Sequence, residues 1–501
     1  MKYISTRGDK KKYTFSEAVL EGIAQDGGLF VPEHLPTINL EEIKYLQNFD
    51  YAKTAFYIFK KFDIDFEDEE IKEIIALAYN SQNFDDKEIA PIVKLDDRKY
   101  MLELWHGPTA AFKDMALQIM PIFFEKAIEK NCPESKFLIL VATSGDTGSA
   151  ALEGFKNRKN IKVAAFYPKG AISTIQELQM TTIDGENTFT FAVAGNFDDI
   201  QKNVKNVFNN KEFNNKLQSE SGFRLSSANS INWGRLLPQI VYHIKSYAQM
   251  VKQGYISLGE KVDIVVPSAN FGNILAAFYA REMGLPVEFL VSGSNDNNVL
   301  EEFINSGIYH IDDRELQVTP SPSMDIIVSS NLERMLYEIT KDSKKISEWM
   351  KELSDKDRYK VDKETKSKMQ KIFRGYSTKS KDSIKKIKEI YSKYSYLVDT
   401  HTAIGIDSAD KFLESKESKN PMIISATASW GKFGESVLKA LEPDNNSEMN
   451  ERETIEYIAR KYNVSIQKNI KEIFEKKIAH RKVIKKNISY FNEGILRIVS
   501  E

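Results

Sequence analysis

The chain has 501 residues, enough for two to four structural units and an ample buried core. Its 70 basic and 72 acidic side chains leave a net charge of −2, which excludes bulk attraction to nucleic acid or an anionic membrane. One cysteine, Cys132, excludes an intramolecular disulfide and a cysteine metal cluster. The first stretch, MKYISTRGDKKKYTF, has no apolar signal-peptide segment, and no later run nears the roughly 18 apolar residues of a membrane span, so the cytoplasm is the expected compartment. Residues 1–95 read as an N-terminal unit: TFSEAVLEGIA starts a helix with Thr14 or Ser16 as cap, and QDGGLFVPEHLP reads as a loop.

From about residue 100 the pattern becomes strand, loop, helix. KFLILVAT (136–143) runs into SGDTGSAALEGF, and IKVAAFYP (161–168) is the next strand. KVDIVVPS (261–268) leads through ANFGN into a helix, PVEFLVS (286–292) follows, and NPMIISAT (420–427) precedes ASWGKFGESVLKAL. Near-continuous apolar strands alternating with helices predict an α/β fold of mostly parallel sheet covered on both faces. Ligands then belong at the carboxyl ends of those strands. Residues 331–395 carry charge at helical spacing and predict a helical insertion; 441–501 predict a helical tail. The lysine-rich tracts have acids interleaved at helical spacing, the pattern of a solvated face rather than a nucleic-acid patch.

Three loops at strand ends suit an anion. In 266–277, VPSANFGNILAA, a strand gives way to a helix whose first N–H groups and dipole favour phosphate. In 141–155, Thr143, Ser144 and Thr147 add hydroxyls to such a turn, while Asp146 repels an anion unless it bonds the loop's own amides. In 226–239, Asn229, Ser230, Asn232 and Arg235 make a set suited to phosphate. Each also fits an ordinary capped turn. Lys113, in HGPTAAFKDMA, fits either a surface ion pair with Asp114 or a pocket amine whose desolvation frees it for chemistry. There is no HExxH pair, P-loop, dinucleotide fingerprint or G-x-S-x-G elbow, and no metal site is expected.

Taken in order, LWHGPTAAFKDMALQ, ATSGDTGSAALEGF, SSANSINWGRLLPQI, NFGNILAA, SPSMDI and DTHTAIG, preceded by YISTRG and FSEAVLEGIAQDGGLFVPEHLP, resemble the threonine synthases up to about residue 440. These are pyridoxal 5'-phosphate enzymes of the tryptophan-synthase β-like, fold type II group. The resemblance implies an N-terminal unit (1–95), a large cofactor domain (96–135 and 229–440, with the 331–395 insertion), and a smaller mobile domain (136–228) that closes over substrate. It implies that Lys113 forms a Schiff base with the cofactor aldehyde. Ser268, Ala269, Asn270, Phe271, Gly272 and Asn273 would cradle the cofactor phosphate, and Thr427 would bond the pyridine nitrogen. Thr143, Ser144, Asp146 and Thr147 would line the substrate-carboxylate loop. Asn229, Ser230 and Arg235 would grip the phosphate of O-phospho-L-homoserine. The implied enzyme is a lyase making L-threonine and phosphate, a monomer or homodimer with no nucleic-acid or membrane partner. Two alternatives remain: a phospho-lyase that ends at 2-oxobutanoate, and a catalytically silent cofactor binder. The chain departs from the family pattern at Ala269 (usually glycine), at Ser429 and Trp430 (His-Pro), and at Thr400 (proline). Alanine at 269 is strained if that position needs a positive φ.

Overall fold

Two parallel sheets share the chain in a computed structural model that describes residues 1–500. The larger sheet has six strands, ordered Phe373–Ser377, Val287–Ser294, Val262–Pro267, Met422–Ala426, Lys99–Glu103 and Ile92–Lys94. All pair in parallel except the last, which is antiparallel to its neighbour. The smaller sheet has five parallel strands, ordered Lys482–Lys485, Thr188–Ala194, Ile161–Pro168, Lys136–Ala142 and Phe223–Ser226.

The central strands are buried on both faces, which is why they are mostly apolar: VDIVVP and MIISA are buried at every residue. In Lys136–Ala142 successive side chains point to opposite faces, so Phe137, Ile139 and Val141 enter the largest core. Leu138 and Leu140 enter a separate core on the outer face of the small sheet. A third core covers the other face of the large sheet. The long Trp233–Lys252 helix is buried from Trp233 to Met250 and packs beside Gly272–Glu282, with His243 against Asn273 and Trp233 against Tyr279.

Three segments differ in detail from the sequence expectation. The N-terminal region forms the expected helix with Thr14 as its cap, closed by a capping box with Glu17. Within the loop-like QDGGLFVPEHLP, however, Phe30–Pro32 pairs antiparallel with Tyr3–Ser5. The region also shares the largest core, where Phe15 and Phe66 meet Phe123, and Tyr3 meets Trp233. The 331–395 segment is mostly helical but includes Phe373–Ser377, the edge strand of the large sheet. Residues 441–501 are helical over Glu451–Tyr462, Lys468–Glu472 and Ile488–Ser500, and add Lys482–Lys485 to the edge of the small sheet. No helix among the described residues is long and apolar enough to cross a membrane.

Candidate functional site

The carboxyl ends of strands from both sheets open onto one cavity of about 240 Å³. Glu103 leads to the loop before Lys113, Ala142 to the 143–145 turn, Ser226 to 227–232, Pro267 to 268–271, and Ala426 to Thr427. Lys113, Thr143, Ser144, Asp146, Thr147, Asn229, Ser230, Arg235, Ser268, Ala269, Asn270, Phe271, Gly272, Asn273 and Thr427 all line that cavity.

Lys113 is held by its surrounding loop. Phe112 donates its N–H to the Thr427 carbonyl at 2.8 Å, and Ala111 bridges Ala428, so the lysine is stitched to the turn opposite. Asp114 is not its ion-pair partner: that fully buried carboxyl accepts from the Thr109 N–H (2.8 Å) and hydroxyl (2.6 Å), closing the turn in front of the lysine. Burial pushes the Asp114 carboxyl up to about 6. A Cβ on Gly107 would come within 2.4 Å of Asp114, so this turn requires glycine. Behind it, His106 lies between Asp85 (2.6 Å) and Glu103 (2.9 Å). Against the pull of burial, those carboxylates raise the imidazole to about 9.

The partner of Lys113 is Asp146, whose Oδ2 lies 3.2 Å from Nζ. Asp146 does not bond the amides of its own loop; those of Gly145 and Gly148 donate to Thr143 Oγ1, each at 2.9 Å. Instead it accepts from Ser323 Oγ (2.7 Å) and Gln176 Nε2 (2.8 Å), and forms a second ion pair with Lys432 (2.7 Å). Burial works against its charge, yet Lys113 and Lys432 hold it well below the usual carboxylate range. Lys113 itself is lowered, by burial first and by repulsion from Lys432 and Arg235, with Asp146 opposing. A buried amine leaning towards its neutral form is a candidate nucleophile and base.

The opposite wall presents donors without protein partners. Arg235 is 3 % exposed, and its Nη1 donates to the Ala228 carbonyl at 2.9 Å while Nε has no partner. Burial pushes its guanidinium down to about 10. His243, kept neutral by burial with its pKa lowered to about 4, donates from Nε2 to Asn273 Oδ1 at 3.0 Å, leaving Asn273 Nδ2 unpaired. Buried donors of this kind are costly unless an acceptor meets them. A Cβ on Gly272 would meet nothing closer than 3.7 Å and would only take space from the cavity. Its helix, Gly272–Glu282, turns unpaired first-turn N–H groups towards that space.

Three of the departures from the family pattern, at Ala269, Thr400 and Ser429, have a local account. Ala269 does not have a positive φ; the left-handed residue is Phe271 at +60°, and Ala269 keeps its carbonyl on Ser329 Oγ at 2.7 Å. Thr400 is the first residue of the Thr400–Ser415 helix, capped by Asp399, a position where threonine and proline are both tolerated. Ser429 caps the short Trp430–Phe433 turn that delivers Lys432.

Several residues outside the expected set complete the site. Lys432, Ser323, Gln176 and His401 converge on Asp146 or its neighbours; His401 Nδ1 meets Asp399 at 2.7 Å, and its Nε2 accepts from the Ser323 N–H at 3.3 Å. Phe197 and Gln201 line the cavity from the Phe197–Asn209 helix. For Lys432 a signal was present: like Lys113, it stands beside bulky apolar residues, in SWGKFG. Ser323 and Gln176 have no local signal, because only the fold brings them to Asp146.

Comparison with known proteins gives one consistent result. The family model of the threonine synthase N terminus matches residues 2–79, and that of the threonine synthase C-terminal region matches 402–475. "Threonine synthase" of Saccharomyces cerevisiae is 36% identical over 476 residues, covering 89% of this chain and 90% of its own. "Threonine synthase-like 1" of Homo sapiens is 40% identical over 437 residues, 85% of this chain; the match spans only 58% of that relative's length. Among solved structures, threonine synthase from yeast superposes with a TM-score of 0.88 at 33% identity, covering 100% of this chain and 99% of that one. PLP-bound threonine synthase from Brucella melitensis gives 0.87 at 31% identity, with both chains covered in full.

Proposed function

The chain belongs to the threonine synthase family, and from that premise we propose that it converts O-phospho-L-homoserine and water to L-threonine and phosphate, with pyridoxal 5'-phosphate bound at the Lys113 cavity. The observation that carries this reading is a buried amine facing, across one cavity, a buried guanidinium whose Nε has no partner. The residues suit the cofactor. Lys113 offers the amine for its aldehyde, the Ser268–Asn273 turn and helix start suit its phosphate, and Thr427 suits its ring nitrogen. When bound, the group supplies an electron sink that stabilises negative charge at the substrate's Cα and Cβ.

The side chains do the rest. Lys113 Nζ takes the protons from Cα and Cβ and returns one at Cγ and one at Cα, while water adds its hydroxyl at Cβ and its remaining proton leaves with the phosphate. This role is open to an amine whose pKa burial lowers. Ser144 and Thr147, half-buried on the cavity wall, offer donors for the substrate carboxylate, and the Lys113–Asp146–Lys432 arrangement removes the repulsion that a bare Asp146 would exert. Arg235, Asn229 and Ser230 receive the leaving phosphate; a charged donor prepositioned in a dry site stabilises that developing charge without reorganising. A neutral hydroxyl at Thr427 does not force a proton onto the ring nitrogen, which moderates the sink. The net charge of −2 fits a cytoplasmic protein acting on a small molecule, as a monomer or homodimer.

Product analysis with O-phospho-L-homoserine as sole substrate tests the reading. Threonine and phosphate in equal amounts are expected from yellow protein, with colour and turnover both lost in Lys113→Ala. Release of 2-oxobutanoate without threonine would make it a phospho-lyase. A protein that takes up no cofactor would overturn the proposal.

A further inference from the structure

Lys432 is fully buried. Its ammonium has two contacts, Asp146 Oδ1 at 2.7 Å and the Thr109 carbonyl at 2.8 Å. Burying an ammonium for stability alone is a poor trade, because an apolar side chain of similar volume would serve as well or better. Its place in the fold suggests another use. Asp146 opens the helix that follows the first strand of the small-sheet unit, and Gln176 lies on the next helix of that unit. Lys113, Lys432 and Ser323 all come from segments around the large sheet. The carboxylate therefore takes three of its four side-chain partners from across the boundary between the sheets.

We propose that Lys432 is a positioning residue that acts through Asp146: it neutralises that carboxylate and so prevents it from capturing Lys113 as a permanent ammonium partner. The inference rests on reading Lys113 as the reacting amine. With Lys432 present, Asp146 and Lys432 form a compact neutral pair, and Asp146 can orient the Lys113 amine at 3.2 Å without dominating its charge. Without Lys432, a buried carboxylate would face Lys113 as its one close cation, and mutual attraction at low dielectric would hold the proton on the amine. The other charged or titratable groups facing this cluster are the buried Asp114 carboxyl, which Lys432 also faces, and two basic groups, Arg235 from the Trp233–Lys252 helix and His401 from the Thr400–Ser415 helix. Neither has an ion-pair contact with Asp146, so neither substitutes for Lys432. Because Asp146 reaches Lys113 from the small-sheet unit, the docking of that unit also sets the state of the amine.

The test reads the Lys113 amine directly. Competitive labelling of the full-length, cofactor-free chain with acetic anhydride, followed by peptide mass analysis, gives the pH midpoint of Lys113 acylation. Lys432→Met, close in shape to lysine, is expected to move that midpoint up by about one unit or more, roughly tenfold less labelling near neutral pH. Asp146→Asn is expected to move it down, and the double variant to return towards wild type. A role confined to packing would not produce shifts of opposite sign. In the cofactor-loaded protein, the acid limb of the kcat profile, which reports the substrate complex in which the Lys113 amine is free, should follow the same shifts. Midpoints that stay put, or move the same way in both single variants, would overturn the inference. Labelling needs neither cofactor nor substrate, so a failure of the proposed reaction would leave this result intact.

Discussion

In the proposed function Arg235 is a receptor whose cost is borne by the folded chain. Its guanidinium is 3 % exposed, Nε has no partner, and among the described residues no carboxylate forms an ion pair with it. A buried charge without a counter-ion destabilises the fold that holds it. Because burial lowers this cation to about 10, its charged form is disfavoured by folding throughout the neutral range. Arg235→Met should therefore leave the unfolding free energy unchanged or raise it by about 1–2 kcal/mol, measured by denaturant titration. The same change should weaken binding of the phosphorylated substrate by roughly 30-fold or more, with much less effect on cofactor uptake. A clear loss of stability, or equal loss of substrate and cofactor, would contradict the role. Neighbouring residues made Arg235 and Lys113 candidates, short polar donors for one and apolar residues for the other, but left an ordinary turn or surface ion pair open; only the resemblance to the threonine synthases gave them roles. Asp146 was legible only as a problem, a negative charge in an anion loop. Its solution lies in Lys432, hundreds of residues away in the chain, which no local pattern joins to it.

At the scale of elements, what the sequence shows is set by how many sides of an element are buried. KFLILVA, VDIVVP and MIISA are interior strands and read as such, because both faces demand apolar residues. Phe373–Ser377 and Lys482–Lys485 are edge strands; FRGYS and KVIK carry charges and were read as parts of helical segments. The helix carrying Arg235 shows how a site is tied to its scaffold. Asn232, fully buried, accepts from the Gly234 N–H at 2.9 Å and donates to the Val19 carbonyl at 2.8 Å, pinning the helix start to the N-terminal region. Asn232→Ala would remove a cap and strand two buried polar groups, for an expected loss of about 2–4 kcal/mol. Asn232→Asp keeps the cap acceptor but abolishes the donor to Val19, and should fall between. Equal stability of all three proteins in guanidinium titrations would show that this helix start is held by its apolar packing alone.

Across the whole molecule, the last part of the chain joins what the two sheets would otherwise keep apart. Gln467 Nε2 donates to the Trp105 carbonyl, and Asn469 Nδ2 donates to those of Gly107 and Pro108, each at 2.8 Å, bracing the loop that leads to Lys113. A few residues later Lys482–Lys485 pairs with Thr188–Ala194, and Ile488–Ser500 covers the outer face of the small sheet. There Phe491, fully buried, stacks on Phe166 with ring centroids 4.8 Å apart. This outer core is distinct from the other two, although the largest of them also packs against the inner face of the small sheet, so its loss should loosen the small-sheet unit most. Phe491→Ala should cost the small-sheet unit about 3–5 kcal/mol, seen as faster amide hydrogen exchange in Ile161–Pro168 and Thr188–Ala194. The strands Val262–Pro267 and Met422–Ala426 should keep their protection, because their cores do not include this ring. Since Asp146 reaches Lys113 from the loosened unit, the acylation midpoint of Lys113 should move down in the same variant, as it does when the carboxylate is removed. Accelerated exchange spread evenly over both sheets would mean that the protein opens as a single cooperative body, and that the small-sheet unit has no independent hold on the state of the amine.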